Sequence, residues 1–269
     1  MITHNGTYLG AATHHGMPIY AATMGGKMVI GGWLLSATKQ AIVAAFGAEG
    51  TEVIAKTNDY LNRIATTDPL RALQISGFIN EDPMLVCSLV EVGKTRWLVA
   101  GGEPSDIVTD IPFSDYNEIE WEWMQTSNSS SLMQFGSRIG GSGSAGIIIS
   151  LGKQIGNIIR IYNGNWSTIM SKTQDFIQYD MKMNLSENKI YIDGVSYNHT
   201  FTTANKEAAT FKIMDGCDAN ISHIIADGEI IVAPFIRNNM AGWINLNDGS
   251  FYSASKGSFT IALTDKTPA

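Results

Sequence analysis

Beyond residue 105, hydrophobic and polar positions alternate along most of the chain. In Glu118-Ile-Glu120-Trp-Glu122-Trp123 carboxylates and apolar residues exchange places at every step. A period of two puts successive side chains on opposite faces of a strand. The string therefore predicts a strand with three glutamates on one face and Ile119, Trp121 and Trp123 on the other. Leu132–Phe135, Ile147–Leu151, Phe176–Leu185 and Ala209–Met214 read the same way. Between further stretches lie Asn163-Gly164, Asp193-Gly194, Asp227-Gly228 and Asp248-Gly249. Such pairs favour two-residue hairpins, because both residues tolerate the positive φ of a type I′ turn. About a dozen short antiparallel strands result, and burying one face of each calls for two packed sheets.

The first 33 residues carry a different pattern, a repeat of ten. Gly6–Thr13, Gly16–Thr23 and Gly26–Trp33 align, with Leu9, Ile19 and Val29 at the apolar position and the glycines at turns. Each unit predicts one short strand plus a turn, too little to bury its own apolar face. Residues 1–33 are therefore expected to be a docking or oligomerisation arm. Residues 34–104 predict a small α+β segment. Ser36 is placed to cap a helix carrying Ile42, Val43 and Phe46, and Gly47 stands where a C′ glycine belongs. A second helix follows Thr51 and stops at Asp68-Pro69. Met84–Val92 and Arg96–Ala100 read as a hairpin turning at Gly93-Lys94, with Gly101–Ser105 as a linker to a third region, 105–269.

Charge sharpens this picture. Only 16% of the 269 residues are charged, against about a quarter in ordinary globular proteins. Residues 1–104 hold 7 basic and 8 acidic side chains, and 105–269 hold 11 and 17. Phosphate recognition requires a basic face, so nucleic acid is not an expected partner. No apolar run approaches the ~18 residues of a membrane span, and the first residues show neither the basic nor the apolar part of a secretory signal. Cys87 and Cys217 lie far apart without a C-x-x-C pattern, which predicts two buried thiols.

Ile221–Arg237, Met240–Tyr252 and Gly257–Thr260, together with Ile111–Gly136 and Ile190–Tyr197, resemble the strands of LamG-like, concanavalin A-like jelly rolls. The versions in proteins of Bacteroides-type bacteria and their phages are the most similar. The resemblance spans about residues 106–262. It implies an antiparallel two-sheet β-jelly roll, mainly β overall, which packs or binds a ligand. The repeat arm also looks like the attachment end of a phage virion protein.

Several strings suggest chemistry. Jelly-roll glycosidases that cut β-glucans carry a similar E-x-D/E-x-E strand. That likeness implies Glu118 as nucleophile, Glu122 as acid/base and Glu120 between them. A retaining pair must stand about 5–5.5 Å apart, whereas residues four apart on a strand are roughly 13 Å apart at Cα. The alternative is an edge strand or a solvent face with apolar residues inward. Gly93-Lys94-Thr95 is not a phosphate loop, because position 88 is Ser and a strand, not a helix, follows. Gly136–Gly146 reads as a loop at one end of the sandwich. His4, His14 and His15 read as solvated or packed, not as metal ligands. Asp215, Asp218 and Asn220 gather oxygen atoms and are the candidates for a Ca²⁺ ion, the sole cofactor considered, although their spacing is not that of an EF-hand. Tyr162, Trp166 and Tyr197 are candidates for stacking on sugar rings.

The expected function is a non-enzymatic virion structural protein, a head- or tail-associated fibre or decoration protein assembled in the host cytoplasm. It would be a homo-oligomer that contacts other virion proteins through residues 1–33, with a jelly roll facing outward toward surface glycan. A β-glucan glycoside hydrolase and a bacterial surface adhesin are the alternatives.

Overall fold

The computed structural model describes residues 2–4, 7–9, 12–14, 17–19, 21–24, 27–30, 33–101, 104–125, 132–138, 145–152, 158–171, 178–216 and 219–265. The chain divides into two compact units, Met1–Lys94 and Thr95–Ala269.

In the first unit strands recur twice in every ten residues and pair as three hairpins, where the repeat predicts one strand per unit. The pairs are β1 (Ile2–His4) with β2 (Thr7–Leu9), β3 (Ala12–His14) with β4 (Met17–Ile19), and β5 (Ala21–Met24) with β6 (Lys27–Ile30). His4 pairs with Thr7, His14 with Met17 and Met24 with Lys27, so two residues separate the strands of each hairpin, and three or four residues make each strand.

Helices follow: α1 (Ser36–Phe46), α2 (Gly50–Ala65), α3 (Pro69–Glu81) and the short α4 (Val86–Leu89). Ser36 does not cap α1. The N-cap position is Leu35, and the Asn80 side chain of α3 substitutes for a cap. Its Oδ1 accepts from Leu35 N at 2.9 Å and Thr38 Oγ1 at 2.8 Å, while Nδ2 donates to Trp33 O at 3.0 Å. Gly47 ends α1 with φ of 58° and its N–H on Val43 O, a conformation that favours glycine. Asp68-Pro69 stops α2 and also starts α3. The Asp68 side chain accepts from Arg71 N at 2.9 Å, and proline occupies the first turn, where its missing N–H costs nothing. The strand expected over Met84–Val92 is instead a 3₁₀ turn and α4. Leu85, Val86, Cys87 and Leu89 are all buried there, and an apolar run of that length does not by itself separate strand from helix. Cys87 is a free thiol; Cys217 lies outside the described residues.

The second unit is a jelly-roll sandwich of two antiparallel sheets. Its elements are β7 (Lys94–Ala100, all but its first residue), β8 (Ser105–Pro112), β9 (Glu118–Gln125), β10 (Leu132–Arg138), β11 (Gly146–Gly152), β12 (Ile158–Tyr162), β13 (Trp166–Ser171), β14 (Gln178–Asn184), β15 (Lys189–Ile192), β16 (Val195–Asn198), α5 (Thr203–Ala208), β17 (Thr210–Gly216), β18 (Ala219–Ala226), β19 (Glu229–Arg237), β20 (Met240–Asn245), β21 (Phe251–Ser253) and β22 (Phe259–Asp265). One sheet runs β13-β12-β11-β10-β17-β8. The other runs β16-β15-β14-β9-β18-β19-β20-β21, with β7 pairing both β18 and β22. β7 thus belongs to the sandwich, and Gly101–Ser105 lies inside this unit.

Aromatic rings fill the space between the sheets. Trp121 meets Phe135 at 4.6 Å between centroids, Phe113 meets Phe211 at 5.3 Å, and Trp243 stands edge-on to Phe135 at 6.3 Å. Asp193-Gly194 and Asp227-Gly228 form the expected turns, with both residues at positive φ. At Asn163-Gly164 and Asp248-Gly249 only the glycine is at positive φ, and the loops are longer than two residues. Asn238-Asn239, at φ of 51° and 62°, supplies a further two-residue hairpin between β19 and β20.

Candidate functional site

The three glutamates project from a central strand, not from an edge. β9 lies between β14 and β18, with Ile119, Trp121 and Trp123 buried in the core. The opposite face of the sheet holds a cleft of about 560 Å³, lined by Glu118, Glu120 and Glu122 with residues of β14, β15 and β18. The alternation in the sequence is thus a division between core and cleft.

Register chooses the neighbours. Across the β9–β14 ladder Asn184 pairs with Glu118, Lys182 with Glu120 and Asp180 with Glu122. Tyr191 of β15 stands beyond Lys182. The Lys182 ammonium lies 2.6 Å from Glu118 Oε1 and 3.4 Å from Glu120 Oε1, and 5.9 Å from the centre of the Tyr191 ring. Asn184 Nδ2 donates to Glu118 Oε2 at 3.4 Å.

On the other side the β18 register shifts between Ile221 and Ile224. Bulges of this kind re-aim side chains near sites. Ser222, fully buried, fills the gap: its Oγ accepts from Glu122 N at 2.9 Å and donates to His223 O at 3.0 Å.

Two turn aspartates pin the strands that carry the site. The Asp227 carboxylate accepts from Asn117 N at 3.0 Å and from Glu118 N at 2.9 Å. Asp193 Oδ1 accepts from Asp180 N at 3.0 Å.

The carboxyl groups are pushed apart electrostatically. Burial raises Glu118, but hydrogen bonds from Lys182, Glu120 and Asn184 and the charge of Lys182 outweigh it and leave the group below its ordinary value. Glu120 is raised, by burial first and then by its hydrogen bond with Glu118, against the opposing pull of Lys182. Lys182 is raised by its hydrogen bond to Glu118 and by both carboxylates. Glu118 and Glu120 thus share one cation, the Lys182 ammonium.

The other candidates are dispersed. Tyr162 is buried at 1% exposure on β12, stacked edge-on against Trp166 at 5.4 Å. Trp166 is 37% exposed on β13, under the Arg160 guanidinium at 5.1 Å. Tyr197, on β16, packs against the core and donates to Met170 Sδ at 3.5 Å. These three do not share the cleft. Asp215 is the penultimate residue of β17 and Asn220 the second residue of β18, where it is buried; Asp218 lies outside the described residues, as do residues 139–144 of the glycine-rich loop and the side chains of His4, His14 and His15. Among the described residues, no group of three or more His, Cys, Asp or Glu could hold a metal ion. Lys182, Asn184, Tyr191 and Ser222 escape the sequence reading. Period two in Gln178–Asn184 marks Asp180, Lys182 and Asn184 as one face, but nothing local pairs that face with Glu118–Glu122.

No family model matches the chain, and no curated protein matches it. Solved structures of similar fold include galectin LEC-6 from Caenorhabditis elegans, at 10% identity and TM-score 0.32, covering 50% of this chain and 94% of that one. The carbohydrate-binding module CBM66 from Bacillus subtilis aligns at 13% identity and TM-score 0.30 over 48% and 91% of the two chains. The β-glucanase of Bacillus licheniformis aligns at 14% identity and TM-score 0.29 over 67% and 82%.

Proposed function

We propose that this chain is a non-enzymatic structural protein of a phage virion, a fibre or decoration component whose residues 1–33 attach it to the particle. Its jelly roll faces outward and holds a polyhydroxylated ligand, such as a host surface glycan, in the β9–β14 cleft. The observation that carries the binding reading is the position of Lys182. With its ammonium on both Glu118 and Glu120, the cleft offers a fixed set of donors and acceptors, with Tyr191 as an apolar surface beside them. That composition suits hydroxyl recognition. The three ten-residue hairpins are too small to be stable alone, which supports a role that ends in docking.

Two measurements test the reading. Deleting residues 1–33 is expected to abolish incorporation into particles, and a truncated protein that assembles normally refutes the attachment role. Titration calorimetry with host surface polysaccharide is expected to show saturable binding that Tyr191→Ala weakens at least tenfold. Equal binding by both proteins places the ligand elsewhere.

A retaining glycoside hydrolase is the second reading. It is favoured by one observation, that Glu118, Glu120 and Glu122 line a cleft from a central strand. Its acid/base would have to be Glu122.

A further inference from the structure

The two flanks of the sandwich are finished differently. A sheet edge exposes a row of backbone donors and acceptors that can take another strand. On the flank formed by β8 and β21 the edges are bridged at several points. Asp106 N donates to Lys256 O at 3.0 Å, Ser255 N donates to Asp106 O at 2.8 Å, the Tyr252 hydroxyl donates to Asp110 at 2.5 Å, and β8 ends in Pro112.

On the other flank β13 ends the six-stranded sheet and β16 ends its partner sheet. Among the described residues β13 pairs with β12 alone, and β16 with β15 alone. These open edges lie side by side. Tyr197 of β16 reaches Met170 of β13, and the Asn163 side chain, just before β13, donates to Thr200 O, just past β16. Trp166–Ser171 and Val195–Asn198 contain no charged residue and no proline, the usual devices that blunt an edge. The one irregularity is a register shift that leaves Ile169 unpaired with β12; Trp166–Thr168 and all of β16 are regular. Trp166 is 37% and Val195 56% exposed.

We infer that this flank is the surface through which two copies of the chain associate. A half-turn about an axis normal to both sheets sets β13 antiparallel to the second copy's β13 and β16 antiparallel to its β16. One operation therefore satisfies both edges. A lone extended peptide fills one edge only. A partner that engages both must present two edges about 10 Å apart, the spacing of packed sheets, and a second copy of this flank has that spacing by construction. With no charge on either strand, nothing repels its own image. The contact is isologous, so the pairing ends at two copies across this face.

The test is the solution mass of the full-length chain by sedimentation equilibrium, beside a Thr168→Lys/Ser196→Lys variant and a Thr168→Glu/Ser196→Glu variant. Both positions are exposed. The wild type is expected at an even multiple of the chain mass, each variant alone at half the wild-type mass, and an equimolar mixture of the two variants back at the wild-type mass. Amide exchange on the wild type gives a reading that needs no variant: amides of β13 and β16 are expected to be protected. A monomeric or odd-numbered wild type, variants that keep the wild-type mass, or unprotected edge amides each overturn the inference.

Discussion

The two faces of β9 share eight residues and one backbone, yet they are built for opposite ends. Toward the core, Ile119, Trp121 and Trp123 sit at 0–3% exposure among Phe135, Phe211 and Trp243. Toward the cleft, the Glu118 and Glu120 side chains stay 26% and 37% exposed and share one lysine. The inner face gains its stability from apolar area removed from water. On the outer face the Coulomb attraction of the charges is largely offset by desolvation and screening. What the outer face holds is geometry: Lys182 holds the Glu118 and Glu120 carboxylates, while Asp227 and Ser222 fix the backbone at Glu118 and Glu122.

Substitutions on the two faces should differ accordingly. The largest effect is expected from Trp123→Ala, which empties a fully buried site and should cost about 3–5 kcal/mol, read as a lower urea midpoint. Asp227→Ala removes two backbone hydrogen bonds at the start of β9 and should cost about 1 kcal/mol. It should also loosen the Glu118 end of the cleft, seen as faster amide exchange at Asn117 and Glu118.

Lys182→Met should cost up to ~1 kcal/mol at neutral pH, with a pH dependence that identifies its origin. The depressed Glu118 stabilises the fold above its ordinary value of 4.5, and that contribution is lost as pH falls through its lower folded value. The raised Lys182 stabilises the fold below 10.5, and that contribution is lost as pH rises through its higher folded value. Glu120, raised, acts in the opposite sense to Glu118 and partly offsets it. The difference between wild type and Lys182→Met should therefore be greatest between about pH 5 and 10 and shrink beyond both ends. A difference independent of pH would mean that Lys182 acts through packing. The smallest effect, below ~0.5 kcal/mol, is expected for Glu120→Gln, because the amide has a similar shape and keeps an oxygen acceptor toward Lys182.

The inner face of β9 could be read from the sequence because period two is a local property. The same holds for the hairpins at Asp193-Gly194 and Asp227-Gly228, where each turn is encoded in two residues. The outer face could be read only by half. Glu118, Glu120 and Glu122 announce a shared face, but Lys182 and Asn184 reach them through a strand pairing some sixty residues away, and register between distant strands leaves no local mark. For the same reason the sequence left β9 open as an edge, although it is central. Met84–Val92 failed differently: a buried apolar run serves a short helix as well as a strand. Asp68-Pro69 predicts a stop, and the same two residues also begin the next helix. In residues 1–33 strands of three or four residues suffice, so ten residues hold a whole hairpin.

The account stands most directly on whether the β9 cleft holds a glycan or cuts it. Release of reducing ends should be measured with β-glucans, and with any glycan the protein retains, for the wild type and for Glu118→Gln and Glu122→Gln. The account predicts saturable binding by the wild type with no reducing ends released above the blank. Turnover by the wild type that either substitution abolishes would contradict it and establish the cleft as an active site.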